Sequence, residues 1–314
     1  MDFENPFLGP SSQRPPSSRP PASENAPSSK RLRELAAQLE RADEESVRTE
    51  IEEHVTELIQ PGLKIGEGQI ADVYCGRQQD DMEGYCIKHK ARVINKSTYE
   101  NSLKKEMDIQ SEAYRILEEA RAAGTPVARI PRPWLYLKTR DGREILSMDR
   151  VPGKTFYRFM LEKAAEKMPD DHFLPGTNRS EIPDLRDEDL EEMVLVRFLK
   201  MSSKTRNQLY QALVEKAGDP PFLPTETAIK LRNSIKALNA KKLFHRDLHE
   251  KNLMLSDDLS EVYLIDFGSA SYKEHSDLTD ATETERIGTK LRYQRDDGIL
   301  STVTKLAKKP PKRT

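Results

Sequence analysis

His245-Arg246-Asp247-Leu248-His249-Glu250-Lys251-Asn252, followed by Asp266-Phe267-Gly268, constrains the fold more than any other part of the chain. Two short apolar runs, Leu253-Met254-Leu255 and Val262-Tyr263-Leu264-Ile265, lie between the motifs. Apolar runs this short, bounded by polar residues, are strand-like. Asp247, Asn252 and Asp266 are therefore expected on loops at the ends of a small hairpin. Either motif alone is a weak signal; their order and spacing make the pair informative.

The two motifs closely resemble the catalytic loop and the metal-binding loop of protein kinases, and the chemistry of that family accounts for the spacing. Phosphoryl transfer needs little covalent help but much positioning and charge neutralisation. The resemblance implies that Asp247 accepts the proton of a substrate hydroxyl and aims it at the γ-phosphate of ATP. It implies that Asn252 is a neutral oxygen ligand for Mg2+ and that Asp266 gives the metal a carboxylate, a hard ligand for a hard cation.

Upstream, Ile65-Gly66-Glu67-Gly68-Gln69-Ile70-Ala71-Asp72-Val73 resembles the glycine-rich loop, with Ala71 where a third Gly often sits. Glycine lets the backbone approach phosphates closely. Tyr85-Cys86-Ile87-Lys88 matches the V-A-I-K pattern of the third strand, which gives Lys88 the α- and β-phosphates to neutralise. By the same resemblance Ile65, Gly66 and Gly68 line the ATP site, and Val73 and Cys86 contact the adenine. Met148, in Leu146-Ser147-Met148-Asp149-Arg150-Val151, is the expected gatekeeper, Asp149 to Val151 offer backbone groups to the adenine edge, and Met254 forms the pocket floor.

A lysine among phosphates needs a fixed carboxylate. The helix expected over 98–123 offers Glu106 and Glu112, six residues apart and so about 120° from a whole number of turns. Glu106 follows Lys104-Lys105, which reads as a solvated face. Glu112 opens the stretch running to Gly124 that resembles compact kinases, so Glu112 is the expected partner of Lys88.

Two features depart from ordinary protein kinases. His249 stands where Ser/Thr kinases usually carry Lys, so that the motif also resembles the D-L-H of aminoglycoside and lipopolysaccharide-core kinases. The chain also stops soon after Gly268, without Ala-Pro-Glu, which resembles the compact atypical kinases of the RIO type. Ile287-Gly288-Thr289 with Tyr293 resembles a peptide-binding loop, and Asp297, with Asp296 as the alternative, is expected to brace the loop at Asp247 from the start of a helix carrying Ile299, Leu300, Val303 and Leu306.

The composition sets the surroundings. Lys and Arg number 51 against 53 Asp and Glu, a balance that argues against wholesale nucleic-acid or membrane-surface binding. No apolar run is long enough to span a bilayer. The N-terminus has no secretory pattern, and two cysteines give no disulfide framework. The expectation is a cytoplasmic protein with two free, buried thiols.

Residues 1–30 hold seven Pro and seven Ser and are expected to be a disordered arm. A helical extension follows over 31–60, then a β-rich small lobe over 61–150. Asp141-Gly142 there marks a hairpin. A C-terminally shortened, helical large lobe spans 151–314, with an inserted helical segment at 157–224 and a basic tail at 305–314.

The fold class expected is α+β, two-lobed and protein-kinase-like, with ATP and Mg2+ in the cleft. The resemblance implies γ-phosphate transfer to a Ser or Thr of a protein substrate. The alternative is a small-molecule hydroxyl kinase whose pocket is shaped by 157–224. A nucleotide-binding pseudokinase is a third reading, opposed by the presence of Lys88, Asp247, Asn252 and Asp266, and a RIO-like ATPase switch stands between the classes.

Overall fold

The computed structural model describes residues 29–41, 45–59, 64–67, 71–75, 84–90, 102–174, 176–199, 206–272 and 298–308. Five strands, β1 (Lys64–Glu67), β2 (Asp72–Cys75), β3 (Tyr85–Lys90), β4 (Pro133–Lys138) and β5 (Glu144–Asp149), form an antiparallel sheet in the order β1-β2-β3-β5-β4. Its strands read VYC, YCIKH and EILSM because both faces are covered. Successive side chains point to opposite faces of a strand, so Tyr85 and Ile87 go one way and Cys86 and Lys88 the other.

The face bearing Tyr85 and Ile87 is covered by the helical extension, which forms two helices, α1 (Ser29–Arg41) and α2 (Glu45–Leu58). Leu32, Leu35, Val47, Ile51 and Val55 pack there on Tyr85, Ile87, Leu135, Leu137 and Ile145. Burying a leucine or isoleucine fully stabilises by about 1.5–3 kcal/mol, and Leu32, Leu35 and Ile51 are wholly buried. Arg33 donates to Asp149 at 2.6 Å and lies over the Trp134 ring, so α1 also reaches the strand end that leads out of the small lobe.

The opposite face packs on α3 (Leu103–Ala122). Ser102 caps this helix, its side chain accepting from Lys105 N at 3.1 Å, and Gly124 follows it with φ 82°, the left-handed conformation glycine adopts without steric cost. Leu103 and Met107 meet Cys86, Leu146 and Met148 on the sheet. The hairpin expected at Asp141-Gly142 joins β4 to β5, Thr139 N donating to Arg143 O at 2.9 Å.

The expectation of two free thiols is overturned. Cys75 and Cys86 stand directly opposite each other in the β2–β3 register, their Cα atoms 4.1 Å apart, and form a disulfide. A count of two cysteines was a poor guide because strand register, rather than spacing along the chain, brings them together.

The larger lobe contains β6 (Lys154–Thr155), α4 (Phe156–Ala165), α5 (Asp187–Glu191), α6 (Arg206–Ala217), α7 (Thr225–Ala240), β7 (Leu253–Leu255) and β8 (Val262–Leu264), with a π-helical turn over Glu192–Phe198. Described residues between 157 and 224 contribute to its core: Phe159, Met160, Leu190, Met193 and Leu213 are buried there with Leu231, Leu253 and Phe267. A helical stretch over 298–306 completes this lobe, burying Ile299, Val303 and Leu306, and Leu223 N donates to Leu306 O at 3.0 Å. Asp296, Asp297 and the Ile287-to-Tyr293 loop lie outside the described residues.

One glycine decides how the lobes join. Gly153 has φ 101°, and a Cβ on it would collide with the backbone carbonyl of Leu255. Only glycine lets the segment leaving β5 lie flat on β7, where Lys154 pairs with Leu255 and Thr155 with Met254.

Candidate active site

Lys88 is the centre of the site. It leaves the α3-facing side of β3 and is 12% exposed at its side chain. Its Nζ donates to Glu106 Oε1 of α3 and to Asp266 Oδ1 at 2.8 Å. One ammonium thus joins the sheet, the helix and the larger lobe. Burial disfavours its charge, but the two carboxylates outweigh that, and the Lys88 pKa is raised above the ordinary lysine value. The lysine stays protonated. Burial also opposes ionisation of Asp266, yet Lys88 overrides it, helped by His245 and the Gly268 N–H, and holds the Asp266 carboxyl below its usual range.

The partner of Lys88 is therefore Glu106, and the assignment to Glu112 is corrected. Glu112 forms a two-pronged pair with Arg115, at 2.8 and 2.5 Å, on the outside of α3. The signal that finds Glu106 was present in the sequence. Leu103, Glu106, Gln110, Ala113 and Leu117 recur at steps of three and four and are all buried, so Glu106 lies in the middle of the inward stripe and Glu112 about 120° round from it. Lys104 and Lys105, read as the marks of a solvated face, point elsewhere on the same turn.

The loops at 245–252 and 266–268 are joined at Ile265. His245 Nε2 lies 3.0 Å from Ile265 O, and Ile265 N donates to Asn252 O at 3.1 Å. Asn252 also donates through Nδ2 to Asp247 O at 2.9 Å, which closes the loop across five residues. The rings of His245 and Phe267 pack at 4.7 Å between centroids. Arg246 and Asp266 take left-handed backbone conformations, with φ 65° and 64°. Such conformations in non-glycine residues cost about 1–3 kcal/mol each and gather at sites where geometry matters more than stability. Asp247, Asn252, Lys88 and Asp266 are thus brought to one region.

Around Lys88, Val73 registers with Lys88 and Cys86 with Met148. Cys86, expected against the adenine, has its sulfur committed to Cys75 and is 8% exposed. Met148 is buried beside Gln110 Nε2, and Met254 is half-buried on β7. Ile65 of β1 is 63% exposed. Gly66 registers with Val73, while Gly68 lies outside the described residues. Asp149 N donates to Arg132 O and Arg150 N to Gly84 O. Those two N–H groups are spent within the chain, which leaves Val151 to supply any donor from this segment.

Asn252 and Asp266 are the pair that could hold a divalent cation. With Nδ2 spent on Asp247 O, Asn252 has its Oδ1 to offer, and the Asp266 side chain is 47% exposed. An amide oxygen and a carboxylate suit Mg2+, which is commonly bound by one or two protein carboxylates completed by substrate phosphates and water. Among the described residues no cluster of three His, Cys, Asp or Glu side chains is poised for a metal.

A β-rich lobe carrying the Lys88–Glu106 pair, joined through Asp266 to a helical lobe carrying Asp247 and Asn252, is a two-lobed α+β fold. No family model matches this chain, and no curated protein sequence matches it. Among solved structures it is similar to the Cydia pomonella granulovirus kinase PK-1, with a TM-score of 0.34 and 11% identity over 71% of this chain. The match covers 57% of that kinase, less than two thirds of its length. No described helix is long and apolar enough to cross a membrane.

Proposed function

We propose that this chain is an ATP-dependent phosphotransferase that moves the γ-phosphate of Mg-ATP to a hydroxyl, with a Ser or Thr of a protein as acceptor. The observation that carries the reading is the buried Lys88 held by carboxylates from two different lobes. An ammonium fixed in this way is poised to neutralise phosphate oxygens without having to be ordered when the nucleotide binds. Ile65, Val73 and Met254 offer apolar contact to the base, and the Val151 N–H and the 149–151 carbonyls offer it hydrogen bonds. A Mg2+ ion bound by Asn252 and Asp266 would neutralise further charge on the phosphates.

Asp247 takes the acceptor hydroxyl's proton as the hydroxyl oxygen bonds to the γ-phosphorus. The bond from that phosphorus to the bridging oxygen breaks, and ADP leaves with the electron pair. Glu106 holds Lys88 in register throughout. The test is phosphate release and autophosphorylation by the full chain with γ-labelled Mg-ATP, measured beside Asp247→Asn. Turnover should fall by roughly two to four orders of magnitude, with ATP binding retained. Near-normal transfer by the variant would defeat the assignment. Release to water without transfer would mark an ATPase switch, and nucleotide binding without release a pseudokinase.

A further inference from the structure

Glu106 meets Lys88 only when α3 is held at one height and one rotation on the sheet. Apolar contact is non-directional, so the packing of Leu103 and Met107 on Leu146 and Met148 leaves the helix room to slide by fractions of an ångström. Hydrogen bonds hold to narrower limits of distance and angle, and two buried ones bracket Glu106. Ahead of it, Leu103 N donates to Glu144 Oε2 at 2.7 Å. Glu144 is buried on β5, the strand between β3 and β4 in the sheet. A carboxylate suits a helix N-terminus, where the first N–H groups have no partner within the helix. Behind Glu106, the buried Gln110 donates through Nε2 to Pro131 O at 2.7 Å. The segment leading to Pro131 is itself anchored on the larger lobe. Arg129 N donates to Val262 O at 2.7 Å, Leu264 N to Arg129 O at 2.9 Å, and Ala128 N to Ser234 Oγ of α7 at 2.7 Å.

We infer that Glu144 and Gln110 are positioning residues, one fixing α3 to the sheet and the other to the segment anchored on the larger lobe, and that together they keep the Glu106 carboxylate on Lys88. The inference rests on Lys88 being the phosphate-neutralising group of the proposed transfer. Lys88 Nζ bonds to Glu106 and Asp266 rather than to either of them, so each acts through Glu106. Gln110 carries a second mark of this role. Its Oε1 is buried without a hydrogen-bond partner among the described residues, a desolvation cost that a methionine of similar length would avoid. What the amide contributes is its bond to Pro131 O. Misplacement of a group at a reacting centre by about 1 Å costs roughly a hundredfold in rate.

The test uses the full chain with γ-labelled Mg-ATP and dephosphorylated casein as acceptor. Gln110→Met and Glu144→Met each remove one bond while keeping most of the volume, and each should lower turnover about 10- to 100-fold. Glu144→Gln keeps an oxygen for Leu103 N and should restore most of the loss. Because both residues act through Glu106, neither substitution should lower turnover further in a Glu106→Gln background. A side chain that merely supported the fold would multiply with it. Acetylation of Lys88 by acetic anhydride, followed by peptide mass spectrometry, reads the release of Lys88 without any turnover, and should be faster in both methionine variants than in the unaltered chain. If Glu144→Met fails to fold, Gln110→Met decides. The inference is overturned if Gln110→Met keeps full turnover, if it leaves the acetylation of Lys88 unchanged, if a folded Glu144→Gln is as impaired as Glu144→Met, or if the deficits multiply with that of Glu106→Gln. A chain that acetylates as expected yet transfers no phosphate would defeat the phosphotransferase reading and leave the positioning of Lys88 standing.

Discussion

Replacing Glu106 with Gln removes one negative charge from a pair in which Lys88 is 12% and Glu106 5% exposed at the side chain. Taking away one member of a buried ion pair typically costs about 3–5 kcal/mol, because the remaining charge is left uncompensated. Here the loss is smaller. Lys88 keeps Asp266 at 2.8 Å, and the Gln oxygen still accepts a hydrogen bond, so the expected destabilisation is about 1–3 kcal/mol. In a domain of this size that lowers the thermal midpoint by about 2–4 °C per kcal/mol. The effect on chemistry is larger than on stability. Held to α3 by a neutral amide in place of a carboxylate, Lys88 is drawn toward Asp266 and shifts that carboxylate, and turnover should fall by about a hundredfold. The control is Glu112→Gln, which breaks only a solvent-screened surface pair with Arg115. Scanning calorimetry and γ-phosphate transfer on both variants read the two effects separately. A normal midpoint and normal turnover in Glu106→Gln, or a larger deficit in Glu112→Gln, would refute the placement of α3.

Asp266→Asn should weaken Mg-ATP binding and shift its magnesium dependence upward; an identical nucleotide affinity across a magnesium titration would remove Asp266 from the metal. Leu306→Ala, at a side chain only 1% exposed, should cost about 2–5 kcal/mol. Truncation after residue 290 should then cost stability and activity together, and a fully active truncation would contradict the docking of 298–306 on Leu223. Reduction of the Cys75–Cys86 bond, whose ends are 11 residues apart, should lower stability by about 3 kcal/mol at 25 °C in the chain-entropy account. Unchanged unfolding with and without a dithiol, with two alkylatable thiols already present in the untreated protein, would count against the bond.

Elements whose causes are local are legible along the chain. The hairpin at Asp141-Gly142 forms because glycine accepts a φ of 84° there, and α3 and α7 follow from apolar residues at steps of three and four. The grouping of Asp247, Asn252 and Asp266 was legible for the same reason, since they flank two three-residue strands that can only fold back on one another. Tertiary structure decided the rest. Which glutamate meets Lys88 depends on the rotation of α3 beneath the sheet, which is set by packing of Leu103 and Met107 on Leu146 and Met148. Context along the chain favoured the wrong residue, although the buried stripe of α3 contained the right one. The disulfide depends on the β2–β3 register, which sets Cys75 opposite Cys86 across eleven positions. The cover of α1 and α2 on the small-lobe sheet, and the packing of α4 and α6 in the large-lobe core, depend on which apolar faces find each other. A sequence records that a face is apolar; only the folded chain, by excluding water from both partners at once, records which other face it meets.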